Sequence, residues 1–309
     1  MSDVLYLTRR EVADLLPPLI DQLELVEQVY AALGAGEVEL PPKIGIHPRP
    51  NAFIHAMPAY LRHEDVAALK WIAGYRSNKQ RGVPYLNGLI ILNDTETGLP
   101  TAIMDATEIT ATRTAVATGV CVRRWGPEGW NKAAIIGFGV QGRRHADVLH
   151  FLNADASIQA YDPTPERIAA ANGALRSSAT PREAVEDAEV IITTAPMTDE
   201  RHPELDLDWL GRRYLLIPVD FDASVRAKPI AAADIFLVDD VKQFEYYRTL
   251  GYFDGWPRPN GSVGEGLAST RTGERAACVN LGIGALDAAF AKVVLAEARE
   301  RSAGTLLPL

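Results

Sequence analysis

Apolar residues recur at helical spacing over residues 19–33, where Leu19, Leu23, Val26, Val29, Tyr30 and Leu33 form one face and the other positions stay polar. Gly34 and Gly36 stop that helix. Before it, residues 4–7 read as a short strand, and Thr8 caps a helix over about 9–16 that ends at Pro17-Pro18. The pattern then turns to strands. Residues 43–47 and 52–57 flank a Pro-Arg-Pro-Asn turn, and 66–71, 86–93 and 99–104 follow, with a turn at 94–98. This part is predicted to be an α+β domain built on a mostly antiparallel sheet. Residues 106–121 return to helical character.

From residue 133 short apolar runs alternate with helical stretches. Strands are predicted at 133–136, 158–161, 190–194, 214–219 and 235–238, and helices at 164–174, 181–188 and 241–250. Strands separated by short helices imply a parallel sheet with right-handed crossovers. A Gly/Pro-rich loop covers 251–264, and a long helical pattern runs over 276–300 with a break or bend near Gly282 and Gly284. The expected organisation is a first domain of residues 1–120, completed by the C-terminal helix in 276–309, around an α/β domain of residues 121–275.

Composition narrows the function classes. The chain has 309 residues, 47% hydrophobic and 23% charged, with a net charge of −9. That charge argues against a general nucleic-acid or membrane-surface binder, which needs a concentrated basic face. The Arg pairs at 123–124, 143–144 and 212–213 are too small to reverse it. No stretch reaches about 18 uninterrupted apolar residues, so no membrane span is expected. The opening Met1-Ser2-Asp3-Val4 lacks a basic region followed by an apolar run. Cys121 and Cys278 lie in apolar surroundings and read as buried free thiols. A cytoplasmic location is the expectation.

The segment 133–142, AAIIGFGVQG, is an apolar strand running into G-x-G-x-x-G and then a helix. That order is the dinucleotide fingerprint in its required context, and it makes the 121–275 domain Rossmann-type. Gly137 permits the tight turn, Gly139 lets backbone approach the pyrophosphate, and Gly142 lets the helix pack on the strand. The helix start at Val140 and Gln141 offers free backbone donors. The next strand ends at Asp162, 20 residues beyond Gly142, placed to accept from the adenosine ribose. Its charge repels a 2′-phosphate, so NAD(H) is predicted over NADP(H). Arg167 is the residue that can soften this preference, although nothing basic sits directly beside Asp162.

Other candidates each carry two readings. Lys70 sits inside an apolar strand, as a stem reaching water or as a charged group entering a pocket. Arg113, on a helix of small residues, suits two-pronged carboxylate recognition, or an interdomain salt bridge with Glu108 or another acid. Lys43 completes a cationic pocket or lies on an exposed edge. Asp220 ends a predicted parallel strand, where such sheets bind ligands. It serves as acid, base or ammonium partner, or it caps a loop, and Asp222 competes for the role. His55 reads as a core histidine. The six histidines and two cysteines lack metal-ligand spacing, so no metal is expected.

These residues, with the stretches FIHAMPAY (53–60), LKWIAG (69–74), ILNDTETGL (91–99), TEITATRTAVAT (107–118) and IGFGVQGRRH (136–145), resemble the ornithine cyclodeaminase/mu-crystallin family over nearly the whole chain. The resemblance implies a substrate-binding and dimerisation domain that includes the C-terminal helix, a Rossmann domain, an active site between them, and a homodimer. It implies a nicotinamide cofactor acting on small amino acids and their imines. Lys70 matches the lysine of the family's K-W segment, Arg113 its carboxylate-binding arginine, and Asp220 most nearly its acid after the fourth Rossmann strand. Where the family often has arginine, this chain has Lys43, and the segment 220–226, DFDASVR, departs from the cyclodeaminase pattern.

The resemblance therefore implies hydride transfer at an α-carbon, with Arg113, Lys43 and Lys70 on the carboxylate, Lys70 also moving a proton, and Asp220 as acid or base. An amino-acid dehydrogenase or imine reductase is favoured. Ornithine cyclodeamination to proline and ammonia with catalytic NAD⁺, and a non-catalytic cofactor-binding protein, are the alternatives.

Overall fold

A computed structural model of the protein describes residues 3–171, 175–196, 201–270 and 272–309. The chain divides into two compact units, residues 1–113 with 282–309, and residues 114–281.

The first unit starts with β1 (Asp3–Leu7), α1 (Arg9–Asp14) and α2 (Leu19–Gly34). Thr8 and Glu11 form a reciprocal capping box at the start of α1. Strands β2 (Val38–Glu39), β3 (Ile44–Ile46), β4 (Ala52–Leu61), β5 (Val66–Tyr75), β6 (Leu86–Asn93) and β7 (Pro100–Asp105) follow, then α3 (Thr107–Trp125), within which the unit boundary falls.

The second unit continues with β8 (Lys132–Ile136), α4 (Val140–Leu152), β9 (Ser157–Tyr161), α5 (Glu166–Ala169), β10 (Leu175–Ser177), α6 (Pro181–Val185) and β11 (Val190–Thr193). It ends with β12 (Tyr214–Pro218), α7 (Ala227–Ala231), β13 (Ile235–Val238), α8 (Val241–Thr249), β14 (Gly261–Ser262), α9 (Val263–Leu267) and β15 (Arg275–Val279). Helix α10 (Gly284–Glu300) and β16 (Thr305–Pro308) return to the first unit.

The first unit's sheet has the order β16-β1-β7-β6-β5-β4-β2, with β3 also on β4. Only β1–β7 is parallel among its described pairs. Helix α10 packs on β4, β5 and β6 and on α2. The second sheet, β10-β9-β8-β11-β12-β15-β13-β14, is parallel throughout. Its strands 190–192, 215–217, 235–238 and 276–279 are buried without alternation, as strands covered on both faces must be.

Two expectations need correction. Residues 276–279 belong to a strand between β12 and β13, not to a helix, and helix begins only at Gly284. Ala-Ala-Cys-Val is apolar at every position, so periodicity does not separate a doubly covered strand from a buried helix. The helix expected over 164–174 is the single turn α5, and residues 172–174 lie outside the described residues.

Candidate functional site

In the second unit, β8 has β9 on one side and β11 on the other, so the chain order reverses there and the strand ends form a switch-point crevice. The turn after β8 enters it. Gly137 has φ +90, and a Cβ there would lie 2.8 Å from the Thr194 carbonyl carbon and oxygen. A Cβ on Gly142 would lie 2.3 Å from the Gly137 oxygen, whereas one on Gly139 would meet nothing within 4 Å. The loop is thus closed toward its own fold and open above Gly139. Gly139 is the N-cap of α4 and brings no side chain to close it, which leaves the first-turn amides facing outward for an anion. Gln141 Oε1 is buried without a hydrogen-bond partner among the described residues. The open backbone and this orphaned acceptor fit a dinucleotide carrying phosphates and hydroxyls.

His145 anchors the same helix turn. Its Nδ1 donates to the Gln141 carbonyl at 2.8 Å, and its Nε2 accepts from Thr118 Oγ1 at 3.0 Å. Asn280 Nδ2 donates to that hydroxyl at 3.1 Å. Burial pushes the imidazole down to about 4, so the ring is neutral. The G-x-G-x-x-G spacing carries no hint of this buttress.

Asp162 follows β9. Its carboxylate accepts from Phe138 N and Thr164 N, both at 2.8 Å. Arg167 Nη1 lies 3.2 Å from both of its oxygens. The sequence places no basic residue beside Asp162, but the single turn of α5 folds Arg167 back onto it.

Asp220 follows β12 and is 2% exposed. Oδ1 accepts from Thr193 Oγ1 at 2.5 Å, and Oδ2 from Ala195 N at 2.8 Å and Ser224 Oγ at 2.6 Å. Burial outweighs these donors and pushes the carboxyl up to about 6. Asp222 is committed elsewhere. It accepts from Arg201 Nη1 at 3.0 and 3.1 Å and from Phe253 N at 2.8 Å, and Arg201 also stacks over Tyr252.

The first unit gathers Lys43, Lys70 and Arg113. Directly opposed residues share a sheet face, and Met57 faces Lys70 while His55 faces Ile72. His55 and Lys70 therefore point to the same side, toward α10. Lys70 is 1% exposed and its Nζ lies 2.6 Å from Asp287 Oδ2, so it does not snorkel to water. Arg113 Nε lies 3.2 Å from Asp287 Oδ1. Arg113's acid is thus Asp287, while Glu108 pairs with Arg9 at 2.6 Å. Lys43 is buried, not an exposed edge residue.

Burial first, then the Arg113 charge, lowers Lys70 to about 7. His55 stacks on Phe53 with ring centroids 4.3 Å apart. Burial, Lys43, His47 and Lys70 lower it to about 3, so it is neutral. Gly282 has φ +84, and a Cβ there would lie 2.9 Å from Arg113 Nη1, so glycine makes room for the guanidinium. Asp287 and this use of Gly282 escape sequence reasoning because both lie 160 or more residues downstream, in a stretch whose periodicity reads only as helix.

Residues 3–227 match the ornithine cyclodeaminase/mu-crystallin family. The chain is 34% identical to the nodulation efficiency protein NfeD of Rhizobium meliloti, over 99% of each chain. It is 26% identical to the alanine dehydrogenase of Archaeoglobus fulgidus, over 98% of each. Among solved structures, the Thermococcus litoralis Delta(1)-pyrroline-2-carboxylate reductase in complex with NADH and L-proline superposes with a TM-score of 0.86 at 25% identity, covering 98% of this chain and 99% of that one.

Proposed function

The chain belongs to the ornithine cyclodeaminase/mu-crystallin family, and from that premise we propose that it is an NAD(H)-dependent oxidoreductase interconverting an amino acid, or cyclic imino acid, and its imine at the α-carbon. The observation that carries this reading is the pair of buried cations Lys70 and Arg113 on one buried acid, Asp287, with buried Lys43 close enough to act on Lys70. A guanidinium and an ammonium held side by side suit a small carboxylate. The glycine turn of the second unit supports the cofactor half, as do the activities of the Archaeoglobus and Thermococcus relatives.

In this assignment Gly137, Gly139, Val140, Gln141 and Gly142 hold the pyrophosphate, and Asp162 the adenosine ribose. A bound nicotinamide supplies hydride exchange at the substrate α-carbon. Arg113, with Lys43, clamps the substrate carboxylate, the guanidinium fixing its plane and the ammonium adding a point charge. Lys70 also faces the carboxylate and carries a proton to or from the imine nitrogen. Asp220 holds the amino group and serves as acid or base. Both groups titrate near neutrality, Lys70 at about 7 and Asp220 at about 6, where general acid–base catalysis is most effective. Asp222 is not assigned, because Arg201 and Phe253 hold it.

A homodimer is part of the proposal. Ile44, Ala56, Trp71 and Leu89 are directly opposed across β3, β4, β5 and β6, and Ile44, Trp71 and Leu89 are 62%, 45% and 39% exposed. A cross-strand apolar row of this kind calls for a cover, and a second copy supplies one. Among the described residues no helix is long and apolar enough to cross a membrane. The free cysteines Cys121 and Cys278 suit a reducing cytoplasm.

The test is a panel of cyclic imines and 2-oxo acids with ammonia, offered with NADH, and of alanine, proline, lysine and ornithine with NAD⁺. Cofactor absorbance and ammonia are followed together. Stoichiometric cofactor change supports the proposal. Proline and ammonia without net cofactor change would reassign the chain as a cyclodeaminase, and no turnover on any member would leave a binding protein.

A further inference from the structure

Asp287 belongs to no motif, yet it is the one acid whose carboxylate reaches both Lys70 and Arg113 among the described ion pairs. It is 1% exposed. It lies in the first turn of α10, a helix of 17 residues, where the helix dipole favours a negative charge. Each of its two oxygens meets one cation: Oδ2 meets Lys70 Nζ at 2.6 Å, and Oδ1 meets Arg113 Nε at 3.2 Å. Gly282, just before α10, sits against the far side of the Arg113 guanidinium. One chain segment therefore holds Arg113 from two directions and Lys70 from one.

We propose that Asp287 is a positioning residue that locks Lys70 and Arg113 into a single orientation and favours the charged form of Lys70. The proposal rests on the reading of Lys70 and Arg113 as the groups that face the substrate. Asp287 itself touches neither substrate nor cofactor in it. The groups facing Lys70 from every neighbouring element fix the sign. Arg113 on α3 and Lys43 before β3 disfavour the ammonium. Neutral His55 on β4 and Thr110 Oγ1, 3.5 Å away on α3, carry no charge against it, and Ile90 lies opposite on β6. Asp287 on α10 is the anion that favours it. Without that anion the push of Arg113 and Lys43 on Lys70 is no longer offset by Asp287, and its proton leaves at lower pH.

The experiment uses full-length protein with ¹⁵N-labelled lysines. The Nζ resonance of Lys70, assigned by its absence from Lys70→Arg, is titrated in wild type and Asp287→Asn. In parallel, kcat/KM is measured against pH with NADH and whichever substrate the panel identifies. The expected result is a midpoint near 7 in wild type, lowered by about one unit or more in Asp287→Asn. The alkaline limb of kcat/KM moves by the same amount. An unmoved Lys70 midpoint in folded Asp287→Asn overturns the proposal.

The resonance needs no turnover, so it decides the role of Asp287 even if the oxidoreductase reading fails. A shifted resonance with no substrate found separates the two. Should Asp287→Asn not fold, Asp287→Glu decides. That variant keeps the charge but displaces the carboxylate, so the Lys70 midpoint is expected to hold while the two cations are mispositioned. With a substrate in hand, kcat/KM is expected to fall about tenfold or more, and a wild-type value would count against positioning. With none, a Lys70 midpoint lowered in Asp287→Glu despite the retained carboxylate would count against it.

Discussion

Arg167 closes on Asp162, with Nη1 3.2 Å from each carboxylate oxygen. The acid expected to exclude a 2′-phosphate therefore has part of its charge cancelled, by a cation suited to pairing with that phosphate. Arg167→Ala should widen the preference for NADH over NADPH about three- to tenfold, mainly by weakening NADPH. Fluorescence titration of both cofactors against wild type and variant measures this. Unchanged binding of both would mean that the Arg167–Asp162 pair lies away from the ribose.

Gly282 leaves room for the Arg113 guanidinium at a backbone φ of +84 that glycine alone adopts freely. Gly282→Ala should push Arg113 aside and raise KM for the substrate about tenfold or more, with little change in the dissociation constant of NADH. Steady-state kinetics and cofactor titration on one preparation separate the two effects. A parallel loss of cofactor affinity would show that the substitution disturbs more than the cradle.

The local features of the site were legible in the chain. The G-x-G-x-x-G turn depends on residues close together in sequence, and the opposition of strands 52–61, 66–75 and 86–93 follows from short turns. Lys70 and Arg113 stood out as large cations in apolar or small-residue surroundings. What set their roles was not local. Asp287 meets Arg113 across 174 positions, and Asn280 meets Thr118 across 162. A lone aspartate in a helical pattern looks like any wet-face residue until tertiary packing buries it. The reversed reading of 276–279 has the same root, because an all-apolar run carries no period.

Two buried groups of the second unit push stability in opposite directions over the same pH range. Folding takes His145 from its ordinary 6.5 down to about 4, so the unfolded chain binds more protons between those values. That contribution is present above 6.5 and is lost as pH falls through 4. Folding takes Asp220 from its ordinary 3.8 up to about 6. Its contribution is full below 3.8 and lost as pH rises through 6. Each is worth about 3 kcal/mol, because every tenfold change in proton affinity corresponds to about 1.4 kcal/mol. Urea unfolding followed from pH 4 to 7 should show a smaller loss of stability toward acid in His145→Gln than in wild type, and a larger one in Asp220→Asn. Variants parallel to wild type would contradict the assigned protonation states.

The row Ile44, Trp71 and Leu89 is expected to hold two copies together. Trp71→Glu places a charge in the middle of that row, opposite Leu89 and Ala56, and should shift the protein from dimer to monomer at micromolar concentration. Sedimentation equilibrium reads the mass directly. A wild-type monomer, or a variant that remains dimeric, would place the interface elsewhere.

The roles proposed for Lys70, Arg113, Lys43 and Asp220 at the substrate depend on hydride exchange at the α-carbon of a small amino acid or its imine. NADH deuterated at the transferable position of nicotinamide C4, incubated with the imine that the panel identifies, tests that step by mass spectrometry and NMR of the product. One deuterium is expected on the product α-carbon per cofactor oxidised, with loss of about a hundredfold or more in rate for Lys70→Met and Asp220→Asn. Product formed without deuterium at that carbon, or both variants turning over at the wild-type rate, would contradict it.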